Sequence, residues 1–92
     1  MHFVVVGMFK AGAERNLRDL YQEWNEHLAD RPIRIAGPLS DESGKQQGWM
    51  AVLESDSIQQ ARAFLNRSPY FMAHLYKRVE VFEYAIEVGR LE

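Results

Sequence analysis

Residues 2–9 read His2-Phe3-Val4-Val5-Val6-Gly7-Met8-Phe9, and the fold turns on this stretch. β-branched and aromatic residues ending at the Ala11-Gly12 turn signal predict a strand. Alternation puts Val4, Val6 and Met8 on one face and Phe3, Val5, Gly7 and Phe9 on the other. Neither face is polar, so the sheet containing this strand is expected to be covered on both sides. Trp49, Ala51 and Leu53 opposite Met50 and Val52 repeat the pattern later in the chain.

Working outward, residues 13 to about 30 place Leu17, Leu20, Tyr21, Trp24 and Leu28 on the stripe of one amphipathic helix. Asp30-Arg31-Pro32 is expected to stop it, because a residue before proline is pushed out of helical geometry. Ile33-Arg34-Ile35-Ala36 predicts a short strand ending at Gly37-Pro38, and the polar residues 40–47 predict a hairpin loop or its flank. The strand Trp49 to Leu53 follows. Asp56 and Ser57 are overlapping cap signals for a helix over residues 57–66, with Ile58, Ala61 and Leu65 facing inward. Ser68-Pro69 reads as an N-cap with proline at the first helical position, opening a short helix over 70–75. Residues 79–88 predict the last strand. The order βαββαβ is that of a ferredoxin-like α+β unit with a four-stranded antiparallel sheet and both helices on one face.

A chain of 92 residues is one domain, 1–92, with a thin core. Small domains are commonly reinforced by disulfides, metals or a partner chain. There is no cysteine, and His2, His27 and His74 have no metal-ligand spacing, so no metal or cofactor is expected. A second copy remains the economical cover for the outer face. The sequence therefore predicts a homodimer through sheet faces, a dimeric α+β barrel. The alternative is strands buried within one chain, which so small a core disfavours. Any pocket is expected to be shallow and to lie beside the first helix, near a sheet edge.

Net charge is −2, and cations alternate with anions as in Lys77-Arg78-Val79-Glu80. Nucleic-acid binding, which draws on a basic stripe, is not expected. No apolar run is long enough to span a membrane, and Met1-His2-Phe3 begins with no charged leader region, so a cytoplasmic location is expected.

His27 lies roughly 60–80° from the centre of the helix stripe, on its margin, where a side chain can face a cleft. Glu23 is one turn earlier, and both a carboxylate and the helix C-terminus favour imidazolium, as general acid–base work requires. Spacing alone favours a structural role, with His27 capping the last turn or packing beside Trp24. Ser68, Tyr70 and His74 form a second polar group, in which Ser68 suits a cap and Tyr70 and Phe71 suit the core.

The whole chain resembles the YciI-like (YCII-related) family. The matching features are an apolar first strand, Glu26-His27-Leu28, Ala36-Gly37-Pro38-Leu39, Ala63-Phe64-Leu65, Ser68-Pro69-Tyr70 and a valine-rich last strand. The resemblance implies a sheet-to-sheet dimer with one site per subunit, pairing the helix-one histidine with the aspartate of an Asp-Pro-Tyr motif. His27 takes the first role. Ser68 stands at the second position and supplies no negative charge to stabilise imidazolium. Relatives of this fold act without cofactor on lactones and haloorganic acids.

Three functions are consistent with these residues. The first is a cofactor-free enzyme acting on a small anionic or carbonyl-containing molecule by isomerase, lactone or dehalogenase-type chemistry. In it His27 and Ser68 are the catalytic pair, Tyr70, Trp49 and Glu23 contact substrate, and Arg15, Arg34 or Arg67 holds a carboxylate. The second is a non-catalytic ligand-binding or accessory homodimer that kept the pocket and lost the family aspartate. The third is a purely structural dimer. The sequence leaves open whether the chain is an enzyme.

Overall fold

The computed structural model describes residues 1–29 and 33–90; the predicted stop at Asp30-Arg31-Pro32 lies outside the described residues. β1 (His2–Phe9) is followed by α1 (Glu14–Asp19), α2 (Tyr21–Leu28), β2 (Ile33–Ser40), β3 (Gln46–Glu54), α3 (Ile58–Asn66), α4 (Pro69–Met72) and β4 (Tyr76–Tyr84). The four strands form one antiparallel sheet in the order β2-β3-β1-β4, the ferredoxin-like α+β arrangement. Among the described residues no helix is long and apolar enough to cross a membrane.

β1 is central because it is apolar on both faces. Phe3, Val5, Gly7 and Phe9 point into the core, opposite Leu53, Ala51 and Trp49 on β3 and Val81 and Val79 on β4. Val4, Val6 and Met8 lie half-buried on the outer face, beside Val52, Met50 and Ile35. α3 packs on β1 and β4 and buries Ala61, Phe64 and Leu65. The inner side of β2 is therefore less covered, and Ala36 and Pro38 are exposed there.

Several boundaries differ from the sequence expectation: β3 starts at Gln46 rather than Trp49, within the stretch read as loop, and β4 ends at Tyr84 rather than residue 88. The first helix is two helices that meet at Leu20, where φ −103° and ψ 10° depart from helical geometry. Backbone bonds from Leu20 N–H to Asn16 and from Trp24 N–H to Leu20 continue across the break. Tyr21, placed on the apolar stripe by spacing, is exposed at the start of α2. β2 runs through Gly37-Pro38 to Ser40, because an edge strand can hold a proline whose missing N–H faces away from the ladder. α4 ends at Met72 rather than Leu75. His74 takes a left-handed conformation (φ 59°), and paired bonds from Leu75 N–H to Tyr70 and from His74 N–H to Phe71 close the helix in a Schellman motif. That sharp exit starts β4 at Tyr76, three residues before the predicted position.

Both cap readings hold. Ser57 Oγ accepts from Gln60 N–H at 3.2 Å, and Ser68 Oγ accepts from Phe71 N–H at 3.3 Å. The β2–β3 connection is an Asx turn in which Asp41 accepts from Ser43 and Lys45 N–H, with Gly44 at positive φ.

Candidate functional site

The aromatic residues of this sequence collect between the helices and the sheet. Trp24, on α2, stacks on Tyr70 of α4 at 4.0 Å between centroids and meets Trp49 of β3 edge-on at 4.5 Å. Tyr70 continues the chain of rings to Phe9 at 5.6 Å, and Phe9 stacks on Tyr76 at 5.2 Å. On the other side of the cluster, the His27 ring is tilted against Trp24 at 5.6 Å and stacked on Phe64 at 4.3 Å. These contacts join α2, α3, α4, β1, β3 and β4 through side chains that bury most of their area.

Where the helices leave β2 uncovered, a cleft of about 540 Å³ opens between α1–α2 and β2–β3. Trp24, Trp49, Tyr70, Leu17 and Leu28 supply its apolar wall, while Ala36, Gly37 and Pro38 keep the β2 side low. Glu14, Arg18, Tyr21, Asn25 and Gln46 bring polar groups to it. An apolar concavity with a few convergent polar groups is the usual form of a small-molecule site.

Of the residues singled out from the sequence, Trp49 and Tyr70 line this cleft and His27, Ser68 and Glu23 do not. His27 is half-buried, and Trp24 touches it while forming part of the cleft wall. Ser68 is 1% exposed, and its hydroxyl caps α4. Glu23 is exposed on α2. Arg34 forks Glu54, Arg67 lies 5.7 Å from the Phe64 ring centre, and Arg15 is exposed. Arg18, which sequence reasoning passed over, is the arginine that lines the cleft. Its signal was faint: Arg18 lies one turn before the expected helix stripe reaches Tyr21. Among the described residues no cluster of three or more His, Cys, Asp or Glu side chains is arranged to hold a metal ion.

Burial, aided by the nearby Tyr21, pushes the Tyr70 hydroxyl up to about 12 from its usual 10.0. At neutral pH Tyr70 therefore remains a protonated hydroxyl and does not act as a base. The same shift predicts alkaline sensitivity. Unfolded tyrosine ionises near 10, so above that pH the unfolded state holds fewer protons than the folded one. Stability is expected to be unaffected by this group below pH 10 and to fall as pH rises toward 12. Thermal melts at pH 9 and pH 11 check this; burial pushes the Tyr76 hydroxyl up as well, so Tyr70→Phe should reduce the difference without abolishing it. Ser68→Ala is expected to cost about 1 kcal/mol through loss of the cap, read from the denaturant midpoint.

The fold and cleft define an α+β protein of the ferredoxin-like type with an aromatic-walled site beside an edge strand. No family model and no curated protein matches the chain. Among solved structures it is similar to 5-chloro-2-hydroxyhydroquinone dehydrochlorinase (TftG) from Burkholderia phenoliruptrix AC1100, in complex with 2,5-dihydroxybenzoquinone. The TM-score is 0.80 at 18% identity, covering 92% of this chain and 94% of that one. Rv0793 from Mycobacterium tuberculosis is similar with a TM-score of 0.54 at 18% identity, covering 96% and 97%. Protein Atu4242 from Agrobacterium tumefaciens has a TM-score of 0.53 at 14% identity, covering 99% and 98%. At such identities the likeness shows the fold and nothing beyond it.

Proposed function

We propose that the chain is a YciI-like protein, homodimeric through its outer sheet faces, that binds a small flat carbonyl-bearing or anionic molecule in the cleft. His27 is assigned the movement of a proton on that molecule. The observation that carries the reading is the cleft itself: about 540 Å³, walled by Trp24, Trp49 and Tyr70, with Arg18 on its lining. Aromatic faces suit a ring, and a guanidinium suits a carboxylate or an ionised phenol. The likeness to TftG, a dehydrochlorinase holding a dihydroxybenzoquinone, supports ligands of that size and flatness. Dehydrohalogenation, isomerisation and lactone chemistry all move protons next to a carbonyl, which an imidazole performs near neutral pH.

The positions of His27 and Ser68 favour a second reading, a non-catalytic binder. With Trp24 where it stands, His27 is outside the lining, and the Ser68 hydroxyl serves the α4 cap. Catalysis by His27 thus requires a rearrangement that brings its imidazole to the cleft. Wild type, His27→Ala and Ser68→Asp should be compared on chlorinated hydroxyhydroquinones and small lactones. The enzyme reading expects turnover by wild type and a loss of about 100-fold or more in His27→Ala. Ligand binding without turnover in any of the three establishes the binder instead.

The dimer rests on the outer face, where Val4, Val6, Met8, Met50 and Ile35 adjoin Phe82, which is 54% exposed. Light scattering is expected to give twice the 10.7 kDa chain mass for wild type. Phe82 is more than half exposed in the single chain, so Phe82→Glu is expected to give folded monomer.

A further inference from the structure

The chain has three lysines, Lys10, Lys45 and Lys77, and all three line one recess of about 140 Å³ at an end of the sheet. They arrive from separate places: Lys10 follows β1, Lys45 sits in the β2–β3 hairpin and Lys77 lies in β4. Glu14 shares the recess and pairs with Lys45 at 3.4 Å. Lys10 and Lys77 form no ion pair among the described residues. Three positive charges less one negative leave the recess at +2, in a chain whose net charge is −2. The recess adjoins the aromatic cleft, sharing Glu14, Leu17 and Gln46 with it.

We infer that the lysine recess binds the carboxylate or phosphate of a ligand whose ring occupies the adjoining cleft. The inference rests on the ligand-binding reading of the cleft and narrows its substrate class to flat rings bearing an anionic arm. Lysine suits this task as a flexible point charge that can close on an oxyanion without fixed bidentate geometry. Convergence of three such groups raises the local anion concentration and favours charged over neutral ligands. The lysine end also fixes the direction of the ligand, with its ring toward Trp49 and its arm toward Lys10 and Lys77.

The test uses three probes: 2,5-dihydroxyphenylacetate, hydroquinone as the same ring without the arm, and inorganic phosphate. Wild type is expected to bind the acid about tenfold more tightly than hydroquinone, an advantage that shrinks with added salt. Lys10→Gln and Lys77→Gln are each expected to weaken the acid about fivefold and to leave hydroquinone unchanged. Equal affinity for the acid in wild type and both variants overturns the lysine site. If neither ring compound binds wild type, the cleft reading fails separately, and phosphate alone decides the recess. Saturable amide shifts at residues 10 and 77 that disappear in the variants then support it, and shifts that are absent or unchanged overturn it.

Discussion

Trp24→Ala is expected to remove about 3–5 kcal/mol of stability, the cost of truncating a buried tryptophan. Trp24 is 5% exposed and touches Trp49, Tyr70 and His27, so its loss uncouples α2 from β3 and from α4 at once. A domain of this size has about 5–10 kcal/mol in all, so the variant should sit close to its unfolding threshold. A urea midpoint lowered with an unchanged slope would show a stability effect of this kind. Trp24→Phe keeps an aromatic face against Tyr70 and should cost much less. A loss below about 1 kcal/mol in Trp24→Ala would mean that the aromatic cluster does not hold the helix layer to the sheet.

Gly7→Ala should be nearly as damaging, for a steric reason. A Cβ at this position would lie 2.3 Å from Cε1 of Tyr76, whose ring crosses the strand there and stacks on Phe9. The ring has little room to retreat, since Tyr76 is 9% exposed and its hydroxyl is buried without a hydrogen-bond partner among the described residues. Overpacking of this kind costs about 1–3 kcal/mol, and a contact this short places Gly7→Ala at the upper end. Pairing it with Tyr76→Ala should recover part of the loss relative to the sum of the single changes. Strict additivity would show that the clash is not with Tyr76.

These two residues show what was legible in the sequence. The alternation in His2–Phe9 located a strand and its two apolar faces; that Phe3, Val5 and Phe9 are the inward set was not decided by alternation, because neither face is polar, and comes from the helices packed on that side. Ser57 and Ser68 announced their helix starts because capping is local chemistry. The break at Leu20 left no trace, since the spacing of Leu17, Leu20, Trp24 and Leu28 fits a continuous helix and neither proline nor glycine marks it. Pro38 misled for a topological reason: only the sheet order shows that β2 is an edge. The end of α4 was hidden because His74, rather than the usual glycine, takes the left-handed position.

The site was legible only in fragments. Trp49 and Tyr70 were named as ligand contacts, but the cleft they share is made from α1, α2, β2, β3 and α4 together. Arg18, Asn25 and Gln46 each look like ordinary surface residues in the sequence, and only their convergence gives them a role. The three lysines are likewise far apart along the chain and meet only because the hairpin and the ends of β1 and β4 come to the same rim.

A flat ligand is expected to enter between α1–α2 and β2–β3. The chain has two tryptophans, Trp24 and Trp49, and both line that cleft, so their indole N–H signals report on it directly. In a proton–nitrogen correlation spectrum, titration with 2,5-dihydroxybenzoquinone should shift both indole signals along one saturable curve while the amide of Phe82 on the outer face stays still. Indole signals that do not move at millimolar ligand, or that move no more than the outer-face amides, would contradict it.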